Sequence, residues 1–226
     1  MFYFTLNFRK INHLKQKHPI YLILPLMQNV TAIQNHVLFI LKKGLSPSLT
    51  YHNYDHTLNV MEQCMAIAKA EGITDEDTLT ELHIASLYHD AGFLYVYEGH
   101  EEKSCEMVRE QLPGFGISNT SIENICEIIM GTKMPQSPKN HLQQIICDAD
   151  LDYLGRDDFF IISDSLCKEV LTYKIVSNKI EWEMRQELFL QSHNYFTKSS
   201  QKLRTPVQLQ HIKKLLEDKR KEGAKI

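Results

Sequence analysis

The sequence has no two cysteines close enough to form a C-x-x-C pair: its five, Cys64, Cys105, Cys126, Cys147 and Cys167, are scattered among apolar or helix-forming neighbours. That spacing excludes a zinc knuckle and a disulfide framework, and it fits buried thiols in a reducing cytoplasm. Charge of one sign is lacking too. With 25 Lys and Arg against 28 Asp and Glu, the formal net charge is -3 and the signs are interspersed, so no global field directs the chain to a nucleic-acid polymer or an anionic membrane. The apolar run Ile20-Tyr21-Leu22-Ile23-Leu24 is shorter than a membrane span, is stopped by Pro19 and Pro25, and is followed by no small-residue cleavage site. Asn-Gly hairpin turns, sustained β-branched alternation, internal repeats and a glycine-rich phosphate loop are all missing.

What remains is helical periodicity, and the fold class it predicts is all-α. A length of 226 residues is within single-domain range, with residues 29–221 as one helical domain and residues 1–28 as a poorly ordered extension. Asn29 or Thr31 can cap a first helix that carries Ile33, Val37, Ile40 and Leu41 and ends at Gly44. A second is expected from about His52 to Ala70, burying Leu58, Met61, Met65 and Ala68. Thr74-Asp75-Glu76-Asp77 starts a third, which closes on His89-Asp90 in its last turn with Gly92 in the left-handed position. Further helices follow from His100 to about Leu112, from Ser118 or Asn119 with Ile122, Ile125, Ile128 and Ile129, and through Leu142, Ile145 and Ile146. The C-terminal part reads as Asp157 to Tyr173, Lys179 to Thr197, and Val207 to Arg220 after Pro206.

Polar residues that interrupt these apolar patterns carry the chemistry. His52 and His56 stand four apart, a spacing that puts two imidazoles one turn apart if the stretch is helical. Such a pair alone is more often solvated than functional. Together with His89-Asp90 and the Asp148/Asp150 pair, it gives imidazoles and carboxylates from three helices, a mixed nitrogen and oxygen set suited to a divalent metal ion, Zn, Mn, Fe or Mg, with positions left open for water.

The pattern His56, then Leu87-Tyr88-His89-Asp90-Ala91-Gly92, then Ala149-Asp150 resembles the HD superfamily of metal-dependent phosphohydrolases, over roughly Val30 to Leu154, with the later helices as part of the same fold. Tyr51-His52-Asn53-x-x-His56 also resembles a signature of the cyclic-nucleotide phosphodiesterases. The resemblance implies one tight metal held by His56, His89, Asp90 and Asp150, catalysis by His52 and Asp90, and His52 as the general acid. Asp148 is the second choice for the last ligand, because side chains two apart on a helix diverge by about 200°; Asp148 or Asp152 would otherwise orient a ligating histidine. His100 resembles a second-metal ligand of some relatives, but Gly131 or Thr132 stands where its partner histidine is expected. Lys103, Lys133 and Arg156 are the candidate contacts to a substrate phosphate, and His193 and Tyr195 are placed to close the pocket. The function implied is hydrolysis of a phosphoester of a small metabolite or nucleotide by metal-activated water. The alternatives are an inactive HD fold kept as a ligand-binding or regulatory module, and a di-iron oxygenase, which requires the full two-metal set.

Overall fold

The computed structural model describes the backbone of residues 20–223 and the side chains of residues 29–221. Among them the chain forms nine α-helices and no strand: α1 Ile20–Gly44, α2 Tyr54–Ala70, α3 Glu76–Tyr88, α4 His100–Gln111, α5 Asn119–Met130, α6 His141–Asp150, α7 Phe159–Thr172, α8 Lys179–Ser192 and α9 Lys198–Gly223. Of the extension expected at 1–28, residues 1–19 lie outside the described residues and residues 20–28 are the first turns of α1. Asn29 and Thr31, expected as caps, therefore sit inside that helix. No helix of the described residues is long and apolar enough to cross a membrane.

The larger core joins α1 to α6. Ile33, Val37 and Leu41 recur every four residues on α1 and are buried, and all four expected isoleucines of α5 are buried with them. α2 packs against both α3 and α6, so it needs a wide apolar face. Its buried residues are Thr57, Val60, Cys64, Ile67 and Ala68, a stripe turned by about one position from the expected Leu58, Met61 and Met65. A second, smaller core of Tyr51, Tyr153, Leu154, Phe159, Leu190 and Tyr195 ties the C-terminal helices to the first. The site lies where the two cores meet.

Two C-terminal boundaries differ from the sequence expectation, for visible reasons. α9 begins at Lys198, before Pro206, because Asp148 accepts from Phe196 N (2.8 Å), Thr197 N (2.8 Å) and Thr197 Oγ1 (2.7 Å), and Ser200 N donates to Thr197 Oγ1 (3.3 Å). This arrangement satisfies donors at and just before the helix start that would otherwise be orphaned. α8 stops at Ser192 rather than Thr197, where the Gln208 amide donates to the carbonyls of Leu190 and His193, each at 2.9 Å.

Candidate metal centre

Asn53 sets the geometry of the first motif. Its side chain caps α2 by accepting from Asp55 N (2.9 Å) and His56 N (3.1 Å), so the helix begins at Tyr54 and His52 stays outside it. The two histidines are not stacked turns of one helix; they approach the centre from different backbone. His56 points its Nε2 inward from the first turn, 3.4 Å from Asp90 Oδ2 and 3.2 Å from Asp150 Oδ1.

The second motif also departs from expectation. α3 ends at Tyr88, His89 is its C-cap, and Asp90 precedes a 3₁₀ turn over Ala91–Leu94. Gly92 does not adopt the left-handed conformation, which is found at Gly72, Gly99 and Gly116. It is required for space: a Cβ there would collide with the backbone carbonyl of His100. Ser104 ties this corner to α4 by accepting from Gly92 N (2.8 Å) and donating to His89 O (2.9 Å).

His89 is fully buried and its Nδ1 lies 2.8 Å from Ser86 O. A carbonyl only accepts, so Nδ1 carries a proton and Nε2 is the nitrogen turned to the centre, where it would offer its lone pair to a cation that displaces its proton. That atom is 3.4 Å from His56 Nε2, 3.3 Å from Asp90 Oδ2 and 3.6 Å from Asp150 Oδ1. Ligand atoms of His56, His89 and Asp150 all lie within 4.8 Å of one another and can hold a metal ion. Asp90 Oδ2 is buried, faces both imidazoles and has no hydrogen-bond partner in the protein. Orphaned buried carboxylate oxygens are costly, so an unpaired one beside two imidazole nitrogens is a donor set that fits a divalent cation.

The electrostatics agree with that fit. Burial works against charge on His56 and His89, yet the facing Asp150 and Asp90 outweigh it, raising His56 and lifting His89 well above the usual imidazole range. Burial likewise opposes ionisation of Asp90 and Asp150, but the imidazoles hold Asp90 well below its ordinary range and Asp150 at about 2. Two ionised carboxylates in a buried centre call for positive charge.

His52 is supported by a residue that sequence reasoning missed. Glu169 of α7, fully buried, accepts from Tyr51 N (2.8 Å), His52 N (3.0 Å) and Tyr97 OH (3.1 Å), and its Oε1 makes a short hydrogen bond to His52 Nδ1. Burial opposes its charge, but His52 and these donors keep Glu169 below the usual carboxylate range. Phe93 stacks on the His52 ring, with centroids 4.5 Å apart. The available signal was a carboxylate three residues beyond Leu166 on the inner side of an apolar helix, and it is indistinguishable by spacing from a solvated Lys168-Glu169 pair.

Other expected residues lie elsewhere. Asp148 turns away from the centre to the start of α9, and Asp152 binds Arg204 (2.7 Å), so neither orients a ligating histidine. His100 does face the centre: Nδ1 donates to Tyr97 O (3.0 Å) while Nε2 lies 3.4 Å from Asp90 Oδ1 and 3.5 Å from Glu101 Oε1. Lys103 pairs with Glu106, and Lys133 with Glu102, on the surface. Arg156 is held by Asp158 and Asn59 and lines a separate cavity of about 290 Å³ that reaches His56 and Asp150. His193 stacks on Phe189, and the Tyr195 hydroxyl donates to Leu151 O (3.3 Å); neither lines the cavity that opens over the centre. That cavity, about 420 Å³, opens over His52, Asp90, His100 and Asp150 and contains Arg185, a cation not anticipated.

Residues 53–152, which hold His56, His89, Asp90 and Asp150, match the family model described as HD domain. The chain carries an HD domain. Two solved structures share the fold: a predicted HD superfamily hydrolase from an uncultured Thermotogales bacterium, 20% identical with TM-score 0.53 over 81% of this chain and 91% of that one, and Bacillus subtilis YpgQ in complex with ADP, 20% identical with TM-score 0.57 over 86% and 96%. No curated protein matches the chain. α7 to α9, which supply Glu169 and much of the cavity wall, follow the HD domain proper.

Proposed function

We propose that the protein is a metal-dependent phosphohydrolase that cleaves a phosphoester of a small metabolite or nucleotide. The observation that carries this reading is the convergence of His56, His89, Asp90 and Asp150 around one point, with Asp90 Oδ2 unpartnered, at the floor of an open cavity. A divalent cation held by these four residues would supply Lewis-acid activation, lowering the pKa of water from about 15.7 toward 7. The water oxygen attacks phosphorus, the P–O bond to the substrate alcohol breaks, and its electron pair goes to the departing oxygen. His52 hands that oxygen a proton from Nε2, releasing the alcohol and phosphate; the proton lost by water leaves through the cavity. Glu169, ionised and buried, keeps Nδ1 occupied so that Nε2 is the nitrogen left to exchange a proton. Asp90 turns its other oxygen, Oδ1, to His100, whose Nε2 also faces Glu101, so a second and weaker cation has ligands beside the first.

Support for a small phosphorylated substrate comes from the ADP in the Bacillus subtilis structure. Five buried, unpaired cysteines support a reducing compartment. The test is metal analysis of the purified protein with a phosphoester screen, for wild type and Asp90→Ala. Wild type is expected to hold metal and turn over, and Asp90→Ala to lose both; a metal-free wild type matched in activity by Asp90→Ala sinks the reading. His52→Ala is expected to keep the metal and lose turnover, and an inactive HD module would bind ligand with no turnover in any variant.

A further inference from the structure

α8 packs Leu190 and part of Phe189 on the second core and turns other side chains to the cavity over the metal centre. Trp182, Arg185, Gln186 and Phe189, spaced i, i+3, i+4 and i+7, all line the 420 Å³ cavity, and of the fourteen residues in the helix Leu190 alone is fully buried. Leu154, Leu166 and Ile175 line the same cavity, as do the reacting groups His52, Asp90 and Asp150. Apolar side chains such as Trp182, Phe189, Leu166 and Ile175 that line an open cavity offer surface a ligand can cover.

Charge limits what that ligand is. Among the described residues lining the cavity, Arg185 is the single lysine or arginine, and its guanidinium already binds Glu181 (2.6 Å); Asp90, Glu101 and Asp150 are the carboxylates on the same wall. A di- or triphosphate tail needs several cations, and this wall offers one. A polyol fares no better, since its hydroxyls would lie against Trp182, Phe189, Leu166 and Ile175, while the amide of Gln186 is already bound to Ser163.

We propose that the substrate is a phosphomonoester whose alcohol carries a flat, apolar group, seated against Trp182 and Phe189 of α8 and against Leu154, Leu166 and Ile175. This rests on the phosphohydrolase reading for its reacting end, but the recognition is a separate property of α8. Trp182 and Phe189 are the specificity-determining residues, and the same chemistry is offered by an aryl alcohol or by a nucleoside.

Benzyl phosphate and ethyl phosphate, whose alkoxides are of similar basicity, separate recognition from leaving-group chemistry. With the holoenzyme, KM for benzyl phosphate should be at least about tenfold below that for ethyl phosphate, the effect of burying one ring, with little change in kcat. Phe189→Ala and Ile175→Ser, two variants on different elements, should each shrink that gap by raising KM for benzyl phosphate several-fold more than KM for ethyl phosphate. Adenosine 5′-monophosphate tells the sources apart: KM below that of benzyl phosphate assigns the flat group to a nucleobase, and KM above it to an aryl alcohol. Trp182 is the single tryptophan of the chain, so its fluorescence reports occupancy without turnover. If no ester is hydrolysed but benzyl phosphate perturbs that fluorescence at least tenfold more tightly than ethyl phosphate, the enzyme reading fails while recognition of the flat group by α8 stands. Equal KM for the two esters, no fluorescence response to either, or adenosine triphosphate preferred over the monophosphate by kcat/KM would overturn it.

Discussion

Glu169→Gln is the substitution that probes the proton-transfer half of the site without touching the metal half. The Glu169 carboxylate takes four donors: two backbone amides, the Tyr97 hydroxyl and His52 Nδ1. An amide of the same shape keeps one acceptor oxygen. If the oxygen stays on the Tyr51 and His52 amides, the new NH₂ faces His52 Nδ1, which must then become the acceptor, and the proton moves to Nε2 of a neutral ring with no buried negative charge behind it. General acid catalysis is worth about 10²–10⁴-fold, so losing the ionised partner should remove a large part of it, a fall in kcat of roughly 10²-fold. KM and metal content should hold, because Glu169 touches neither His56, His89 nor Asp150. Glu169→Ala goes further and orphans two backbone N–H groups at about 1–3 kcal/mol each, so it should also lower stability by about 2–6 kcal/mol in urea denaturation. The measurements are steady-state kinetics with an unactivated alkyl phosphate, where protonation of the leaving oxygen matters most, and metal analysis of the same preparation. Wild-type kcat in Glu169→Gln would refute a role for this carboxylate in holding His52, and loss of the metal would show that the two halves are not separable.

Three further predictions follow from the surrounding structure. Asp148→Asn should cost about 1–3 kcal/mol by leaving a buried donor at the start of α9 unpaired, with unchanged metal content, as read by urea denaturation and metal analysis; metal loss would make Asp148 a ligand after all. Gly92→Ala drives a methyl into the His100 backbone, so it should destabilise by about 1–3 kcal/mol or more and weaken metal binding in a titration, and normal values for both would mean this corner yields freely. His193 is held at about 4, below its ordinary 6.5, by burial. The unfolded chain takes up that proton first as the pH falls, so stability drops between about 6.5 and 4, by at most about 3 kcal/mol, and is fully present above that window. His193→Phe should remove this part of the acid slope, and identical pH profiles of denaturation midpoint for the two proteins would refute it.

The elements that position the site were legible where one local signal sufficed. Isoleucines at helical spacing gave α5, and Asp75 and Ser118 gave helix starts that the structure retains. Boundaries set by distant partners were not legible. α9 starts eight residues before Pro206 because Thr197, held by Asp148 nearly fifty residues upstream, caps it, and α2 turns its stripe because it is packed on two sides. Gly92 was read as a conformational glycine, the commonest local reason for one, when its cause is a neighbour eight residues away.

The same distinction explains why one half of the candidate site could be read from the chain and the other could not. Metal ligands come from few side-chain types, so imidazoles and carboxylates standing in apolar surroundings narrow the choice to His52, His56, His89, Asp90 and the Asp148/Asp150 pair, and the resemblance to the HD superfamily implies His56, His89, Asp90 and Asp150 among them. Supporting groups have no such restriction: His89 is oriented by a backbone carbonyl, which every residue carries, and His52 by a glutamate whose neighbours look like those of a surface helix. Asp148 and Asp150 show the limit most sharply. Two aspartates two residues apart leave α6 on different sides, and the one turned inward meets His56 while the other holds Phe196 and Thr197 just before α9. The spacing alone does not say which is which: the Ala149-Asp150 resemblance favours Asp150, and in the structure it is Asp150 that faces His56 while Asp148 binds Phe196 N and Thr197.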